Sequence, residues 1–215
     1  LKKFLNLEKN KSIVLDDAIK LNDFNKYPQK KTKKEFVYTG SFVNGKGVEI
    51  ILKLAEFFKE YNFNLYGNID TMEFHNKKKC SKFSNIKIYG FKSYSSITKV
   101  LIKTEYLLMP YQKKISVLKD NVDVSRYISP LKMFEYLAAK KIIFASKHNV
   151  YSHILKNNYN SILLIPNNIN DWVKKISKVL KNPKKYQPLK KNSYLTAKKY
   201  SWDSRCSKIL NFYFK

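Results

Sequence analysis

A lysine and a glutamate lie three residues apart in segment Ser129–Ala139, which reads SPLKMFEYLAA. Serine is a good N-cap and proline suits the first helical position, so the sequence predicts a helix capped by Ser129 with Pro130 as its first residue. Free N–H groups at such a helix start attract phosphate. Lys132 and Glu135 would share one face of the helix, beside this candidate anion site. The same spacing is equally typical of an exposed ion pair that contributes only about 0.2–0.5 kcal/mol.

Apolar residues recur on the same predicted helix at a spacing that places them on one face. Leu131, Phe134 and Ala138 form this stripe, so we expect all three to pack on a sheet. The apolar run Ile142–Ser146 follows at once and is typical of a buried strand. Helix and strand together predict a unit that holds the charged pair of the helix at the edge of a sheet.

A second candidate anion site lies in the turn Gly45-Lys46-Gly47. Glycine lets the backbone approach a phosphate closely, and lysine supplies a point charge. Taken alone, such a turn is more often a solvated loop. Its value as evidence for an anion site therefore depends on its position in the fold.

Short apolar runs alternate with helical patterns along most of the chain. The predicted strands are 36–41, 63–66, 86–91, 106–111, 142–146 and 162–165. The predicted helices are 48–58, 97–102, 150–155, 172–180, 194–200 and 202–212, with a lysine-rich turn at 183–188. Alternation of this kind predicts a parallel sheet with helices on both faces.

Two loops leave this predicted sheet at the carboxyl ends of their strands. One spans residues 41–46 and contains the lysine turn, and the other spans residues 112–128 and leads to the predicted anion-binding helix. Ligands of open parallel sheets bind at this edge, near the point where the strand order reverses. We therefore expect Lys46, Lys132 and Glu135 to meet there.

The motifs follow one another in the order of a known enzyme family. Segment 129–139 and the following strand, which ends in Ala145-Ser146, resemble the donor-binding helix and strand of the family-four (group 1) retaining glycosyltransferases. Segment 38–47 resembles the glycine-rich first loop of these enzymes, and segments 65–67, 88–91 and 200–202 resemble the next two strand ends and the start of the closing helix. The resemblance covers about residues 35–210. It implies an α/β fold: a Rossmann-like parallel sheet with helices on both faces, one domain of the GT-B type architecture.

At 215 residues the chain has room for one full α/β domain but not for two. The resemblance implies that residues 1–34 are the connection from a preceding domain and that residues 35–215 are the nucleotide-sugar-binding domain with its closing helices. The apolar piece 12–19 fits such a connection, although a loosely packed arm is the plainer interpretation. Because the first residue is Leu1 rather than methionine, we expect the chain to be a fragment of a longer protein.

The resemblance also implies roles for individual residues. Lys46 would act on the donor diphosphate as the catalytic cation, Glu135 would accept hydrogen bonds from the ribose hydroxyls, and Lys132 would add a second positive charge. The loop that carries Phe91 would lie near the base. The donor-binding residues implied in this way are Gly40, Ser41, Gly45, Lys46, Phe91, Ser129, Pro130, Leu131, Lys132 and Glu135.

Two positions depart from the pattern of the family. Ser41 stands where many members have an arginine directly after the first glycine, and Tyr127 stands where many have a second glutamate, eight residues before the helix glutamate. The sugar-side carboxylate is therefore absent. The neighbouring Arg126 is a candidate to supply some of the lost charge.

The implied activity is transfer of a sugar from a nucleotide-sugar donor to a glycan or lipid-linked acceptor with retention, without a metal or other cofactor. This chain would carry the donor-binding half of the enzyme. A sugar-nucleotide epimerase of the same architecture is one alternative, but such enzymes use further carboxylates and histidines, and the sequence shows no such cluster. A non-catalytic module that binds a nucleotide or another anion is the second alternative.

The composition limits the partners. The 43 Lys and Arg against 16 Asp and Glu give a formal charge of +27, but only Arg126 and Arg205 are arginines. Proteins that recognise base edges in nucleic acids favour arginine, because its planar guanidinium group donates two parallel hydrogen bonds. We therefore expect no specific nucleic-acid binding, and at most a peripheral contact with an anionic membrane. Cys80 and Cys206 are isolated, and the three histidines have no metal-ligand spacing, which favours a reducing compartment. No apolar run reaches the length of about 18 residues that a membrane span needs, so we expect a cytoplasmic protein, at most peripheral at the inner membrane face.

Overall fold

The structure is a computed structural model that describes residue 8 and residues 11–28, 34–116 and 123–214. Parallel strands form a single six-stranded sheet in these regions. The strands are β1 (Glu35–Thr39), β2 (Asn62–Tyr66), β3 (Ile86–Ile88), β4 (Tyr106–Met109), β5 (Ile142–Ser146) and β6 (Ile162–Leu164). Their order across the sheet is β3-β2-β1-β4-β5-β6, and every neighbouring pair is parallel.

Helices connect the strands and close the carboxy-terminal end of the domain. The α-helices of the described residues are α1 (Leu21–Asn25), α2 (Val48–Phe57), α3 (Phe74–Cys80), α4 (Tyr94–Lys103), α5 (Leu131–Ala138), α6 (Ile169–Lys181), α7 (Gln187–Lys199) and α8 (Trp202–Tyr213). Short 3₁₀ helices cover Ile69–Thr71, Asn149–Tyr151 and Pro183–Tyr186. None of the helices in the described ranges is both long and apolar enough to cross a membrane.

Alternate residues of the strands contribute to two separate hydrophobic clusters, one on each face of the sheet. On β1, Phe36 and Tyr38 belong to the cluster that contains the buried stripes of α2 and α6, whereas Val37 belongs to the cluster that contains those of α4 and α5. Strands β1, β4 and β5 are therefore buried on both sides, which is why they read as nearly continuous apolar runs in the sequence. The predicted Rossmann-like α/β fold, with helices on both faces of a parallel sheet, is confirmed.

The element bounds differ from the sequence predictions chiefly at the ends. Helix α7 begins well before the predicted residue 194, because Pro188 fits the first turn of a helix, where its missing N–H is not needed. Segment 150–155, predicted as a short helix, contains only the end of the 3₁₀ helix Asn149–Tyr151, followed by turns. Strands β1, β3, β4 and β6 end before their predicted ends, since the last residues of the predicted runs already belong to the loops. The bounds of β5 are as predicted.

The segment before β1 packs against the carboxy-terminal helices. Ile19 forms a parallel bridge with Ser201, next to the start of α8, and Phe24 of α1 is fully buried. The interpretation of this segment as a loosely packed arm is therefore wrong for residues 18–24, although Ile13 and Val14 are exposed. Residues 1–7, 9–10 and 29–33 lie outside the described residues, and the division at residue 34 between connection and domain stays a prediction.

Candidate functional site

Helix α5 begins one residue later than the sequence predicts. Pro130, with φ −73° and ψ 109°, occupies the N-cap, and its carbonyl accepts from the N–H of Met133 at 2.9 Å. An N-cap residue has extended backbone angles while its carbonyl accepts the first helical bond, and Pro130 meets both conditions. Ser129 is exposed and lies outside the cap, so its predicted role as N-cap is wrong. The first N–H groups of α5 lack intrahelical partners, as at any helix start.

A tyrosine hydroxyl fixes α5 to the ends of the two central strands. Tyr136 accepts from the N–H of Thr39, at the end of β1, with an N···O distance of 2.9 Å. The same hydroxyl donates to the carbonyl of Leu108, on β4, at 3.3 Å. Because the hydroxyl is buried and bonded on both sides, it sets the position of α5 relative to the carboxyl edge of the sheet.

The predicted apolar stripe of α5 is only partly buried. Phe134 and Ala138 are fully buried, as predicted. Leu131 is 61% exposed, so its predicted packing on the sheet is wrong. As the first residue of the helix it lies beyond the edge of the sheet, where it lines a cavity instead.

Two glycines of the first loop join it to the loop after β4. Gly47 is the N-cap of α2 with φ 92°, and a Cβ there would lie 1.9 Å from the carbonyl oxygen of Pro110. Gly45 has φ 83°, and a Cβ there would lie 2.3 Å from the carbonyl oxygen of Lys114. Only glycine fits such close backbone approaches at positive φ. The two loops expected to flank a ligand are thus held together by backbone contacts.

A cavity of about 690 Å³ opens at the carboxyl ends of β1, β2 and β3, beside the start of α5. Every predicted donor-binding residue except Gly45 lines this cavity. Gly45 faces the loop after β4. The predicted meeting of Lys46, Lys132 and Glu135 at one edge of the sheet is therefore observed.

Several residues of the cavity were not singled out from the sequence. They are Thr39, Tyr66, Gly67, Asn68, Lys92, Tyr94, Ile97 and Tyr111. Tyr66 and Tyr111 end predicted strands, and this position at the ligand edge is the signal that could have found them. Arg126 and Tyr127 are exposed and do not line the cavity, so the suggested compensation by Arg126 has no support in this arrangement.

The amines of the two lysines that line the cavity lie near tyrosine rings. Lys132 Nζ lies 3.8 Å from the ring centroid of Tyr38 and 5.4 Å from that of Tyr111. Lys46 Nζ lies 4.7 Å from the same Tyr111 centroid. A Cβ at Gly40 would lie 2.6 Å from Lys132 Nζ, so the first glycine of the loop makes room for this amine. The Lys132 amine is buried and has no hydrogen-bond partner among the described residues.

Glu135 does not form an ion pair with the neighbouring lysine. No pair of charged atoms within 4.0 Å joins Glu135 to Lys132 in the described part of the chain. The exposed ion pair that the spacing also allowed is therefore absent. Burial raises the pKa of the Glu135 carboxyl, and the positive charge of Lys132 opposes this rise.

Burial also changes the titration of both lysines. It lowers the pKa of Lys46. For Lys132, burial and then the nearby charge of Lys46 hold the pKa well below the ordinary value, and Glu135 opposes the shift only in part. A positive charge on either lysine would thus be poorly compensated by the protein itself, and an anionic ligand would supply the missing compensation.

The cavity is apolar and aromatic on the side of β3. Phe91 follows β3 and is 82% exposed, and Tyr94 and Ile97 of α4 line the same side. Strand β3, which Phe91 follows, is an edge strand of the sheet and lies two strands from β1, which Lys46 follows. Exposed rings of this kind stack on flat aromatic ligands. A ligand with phosphates and an aromatic base fits both sides.

Comparison with known proteins agrees with this geometry. A sequence model for the family described as "Glycosyl transferases group 1" matches residues 19–196. The chain belongs to this family. The match begins before β1 and ends within α7, so it includes every described strand and the segment that carries α5. It confirms the resemblance of the sequence motifs to group 1 glycosyltransferases.

Three proteins to which this group 1 chain is similar are considerably longer than it. An uncharacterized glycosyltransferase of Methanocaldococcus jannaschii is 24% identical over 172 residues, which cover 78% of this chain and 44% of that protein. The crystal structure of a glycosyltransferase from Rickettsia africae aligns with a TM-score of 0.77 at 14% identity, over 97% of this chain and 58% of that one. A TarM mutant from S. aureus, in complex with fondaparinux, alpha-GlcNAc-glycerol and UDP, aligns with a TM-score of 0.73 at 18% identity, over 99% of this chain and 42% of that one. These structures share the fold, and the chain spans about half the length of each relative.

Proposed function

We propose that this chain is the donor-binding half of a retaining glycosyltransferase that uses a nucleoside diphosphate sugar. The observation that carries the proposal is the convergence of Lys46, Lys132 and the first turn of α5 on one cavity that also has exposed aromatic rings. Membership of the group 1 family supports it. The TarM complex, which contains UDP, supports the choice of ligand.

Each part of the donor has a matching part of the cavity in this proposal. The diphosphate lies against Lys46, Lys132 and the N–H groups at the start of α5, because lysine and a helix start both attract phosphate. Glu135 accepts hydrogen bonds from the ribose hydroxyls. The base lies on the apolar side, near Phe91. Gly45 acts indirectly, since it holds the loop after β4 in place.

The proposed chemistry depends on charge that develops during transfer. Transfer breaks the bond between the anomeric carbon of the sugar and an oxygen of the diphosphate, so the leaving diphosphate gains negative charge. Fixed positive groups and a helix start in a cavity with little water stabilise such charge. Lys46 is the proposed catalytic residue, and this arrangement calls for no metal or other cofactor.

The acceptor in this proposal is a glycan or a lipid-linked saccharide. A lipid-linked acceptor would be met at the cytoplasmic face of a membrane, where the formal charge of +27 favours a peripheral contact with anionic lipid. The acceptor-binding groups are expected in the part of the longer relatives that this chain does not span.

Calorimetric titration of the chain with uridine, guanosine and adenosine diphosphate sugars tests the proposal. We expect saturable binding of at least one of these donors. Absence of binding to all of them by the folded chain would refute the donor-binding function. Epimerisation of a donor sugar without any acceptor would instead favour the epimerase alternative.

A further inference from the structure

The Lys132 amine occupies an unusual environment for a lysine. Its nitrogen is buried and has no hydrogen-bond partner among the described residues. Two tyrosine rings lie near it, with the Tyr38 centroid at 3.8 Å and the Tyr111 centroid at 5.4 Å. Lysine amines are normally among the most strongly hydrated groups of a protein and are buried only with a partner. The partner of Lys132 is therefore expected from outside the described residues, and a ligand of the cavity is the candidate.

Few charged groups face this amine, and they oppose one another. Tyr38 of β1 and Tyr111 after β4 stay uncharged, because burial raises the pKa of both hydroxyls. The loop between β1 and α2 contributes Lys46, whose charge repels a positive charge on Lys132. Helix α5 contributes Glu135, which among the described residues is the only carboxylate that favours the charged amine and which makes no ion pair with it within 4.0 Å. The balance, dominated by burial, favours the uncharged amine.

We propose that the Lys132 amine takes up a proton from solvent when a diphosphate group enters the cavity. The proposal rests on the proposed function of the cavity and adds a proton to its binding equilibrium. The amine gains H⁺ to become an ammonium ion, and no other bond forms or breaks. The ligand does not supply the proton, because a nucleoside diphosphate sugar carries two phosphate diester charges that titrate far below neutral pH. The ammonium ion then donates charge-assisted hydrogen bonds to the phosphate oxygens.

This coupling makes the affinity for the donor depend on pH. Where one full proton is taken up for each donor, each unit rise in pH lowers the affinity about tenfold. Below the pKa of the free amine the dependence vanishes, since the lysine is already charged before the donor arrives. An anion is therefore the ligand that this lysine favours, and a neutral ligand gains nothing from it.

Calorimetry in buffers of different ionisation enthalpy measures the proton directly. Titration with the donor that binds best, at about pH 7, 8 and 9, gives the number of protons taken up from the slope of the observed enthalpy against the buffer enthalpy. We expect uptake that approaches one proton per donor in at least one of these conditions. Lys132→Met should bind the donor more weakly and lose most of this uptake.

Lys140→Met is the matched control for this experiment. Lys140 Nζ also lies 3.8 Å from a ring centroid, that of Tyr194, but it donates to Asn25 Oδ1 and lies outside the donor cavity. Its variant should take up protons as the wild type does. If Lys132→Met fails to fold, the ¹³Cε resonances of labelled lysines in the wild type, with Lys132 assigned through Lys132→Arg, report the charge of the amine with and without donor.

The possible outcomes distinguish the proposed proton uptake from the proposed donor-binding function. Donor binding whose enthalpy is independent of the buffer at every pH would overturn the proton uptake and leave the donor-binding function intact. Uptake that persists in Lys132→Met would also overturn it, because the proton would then go to another group such as Lys46. A failure of every donor to bind would overturn the donor-binding function itself, and the proton uptake with it.

Discussion

The Lys132 amine is a group that a core selected for stability alone would not contain. Burial removes it from water, and no hydrogen-bond partner among the described residues replaces that water. A buried donor left unsatisfied costs about 1–3 kcal/mol. Such groups persist where they serve a function, because natural proteins violate packing rules mainly at their functional sites. The cavity therefore gains a cation for its ligand and loses stability in the absence of one.

Lys132→Met should stabilise the free chain. The change keeps the length of the side chain and removes the unpaired amine, so we expect a gain of about 1–3 kcal/mol at neutral pH, or about 2–4 °C in Tm for each kcal/mol. The unfolded chain binds more protons than the folded chain between the lowered pKa of Lys132 and its ordinary value of 10.5. The stability that Lys132 contributes is thus present above this interval and is lost as pH falls through it.

The gain from methionine should therefore shrink as pH rises toward 10.5. Thermal unfolding of wild type and variant at about pH 7 and 10 measures the difference, and the other lysines cancel in the comparison. A gain of equal size at both pH values would show that the amine is charged in the folded chain.

Glu135→Gln should weaken donor binding by about 1.5–3 kcal/mol, a factor of about 10 to 150 in Kd, because in the proposed function the carboxylate accepts charge-assisted hydrogen bonds from the ribose. Glu56→Gln is the matched control, since Glu56 is exposed on α2 and does not line the cavity. Calorimetric titration measures both variants, and circular dichroism verifies that each is folded. Equal effects would remove the reason to place the ribose at Glu135.

At the scale of elements, the sequence determines buried strands better than helix ends. The run that forms β5 is predicted to the residue, because four of its five residues are apolar, as is typical of a parallel strand buried on both faces. The start of α5 is displaced by one residue, because the backbone angles of Pro130 and not its side chain decide which residue is the cap. The early start of α7 is missed because prolines indicate a turn and the first turn of a helix equally well.

The displaced start of α5 leads to a test with two serines. Ser201 caps α8, where its hydroxyl accepts from the N–H of Ser204 at 3.1 Å, whereas Ser129 lies outside the cap of α5. Ser201→Ala should therefore lower the free energy of unfolding by about 1 kcal/mol. Ser129→Ala should leave it unchanged within about 0.5 kcal/mol. Urea unfolding measures both changes, and a larger loss for Ser129→Ala would restore its role as N-cap.

At the scale of the molecule, the strand order decides where the donor cavity lies. The chain runs from β1 outward to β2 and β3, and then returns to place β4 on the other side of β1. The loops after β1 and β4 part at this reversal, and Ser41 and Tyr111 from these loops line the cavity. The sequence is sufficient to predict this edge and most of its residues. It does not predict that the Lys132 amine lies against tyrosine rings, because distant parts of the chain contribute these rings.

Residues 1–215 alone should bind a nucleotide-sugar donor and transfer no sugar. The residues that line the proposed donor cavity all belong to this chain, but the chain spans only 44% of its M. jannaschii relative and 58% of the R. africae structure. In the proposed function the remainder positions the acceptor. Orientation of two reactants supplies about 7–11 kcal/mol of the barrier in well-arranged reactions, so a donor site without a positioned acceptor should show no measurable turnover.

Sugar transfer to lipid and saccharide acceptors measures this expectation. The comparison is between residues 1–215 and a version extended upstream of Leu1 to the length of the relatives. Turnover by the extended version alone is the expected result, with donor affinities within about threefold of each other because both contain the same cavity. Turnover by residues 1–215 would show that the acceptor site lies in this domain. Donor binding without turnover in either version would instead favour the non-catalytic module, since the protein would then bind the donor without catalysing its transfer.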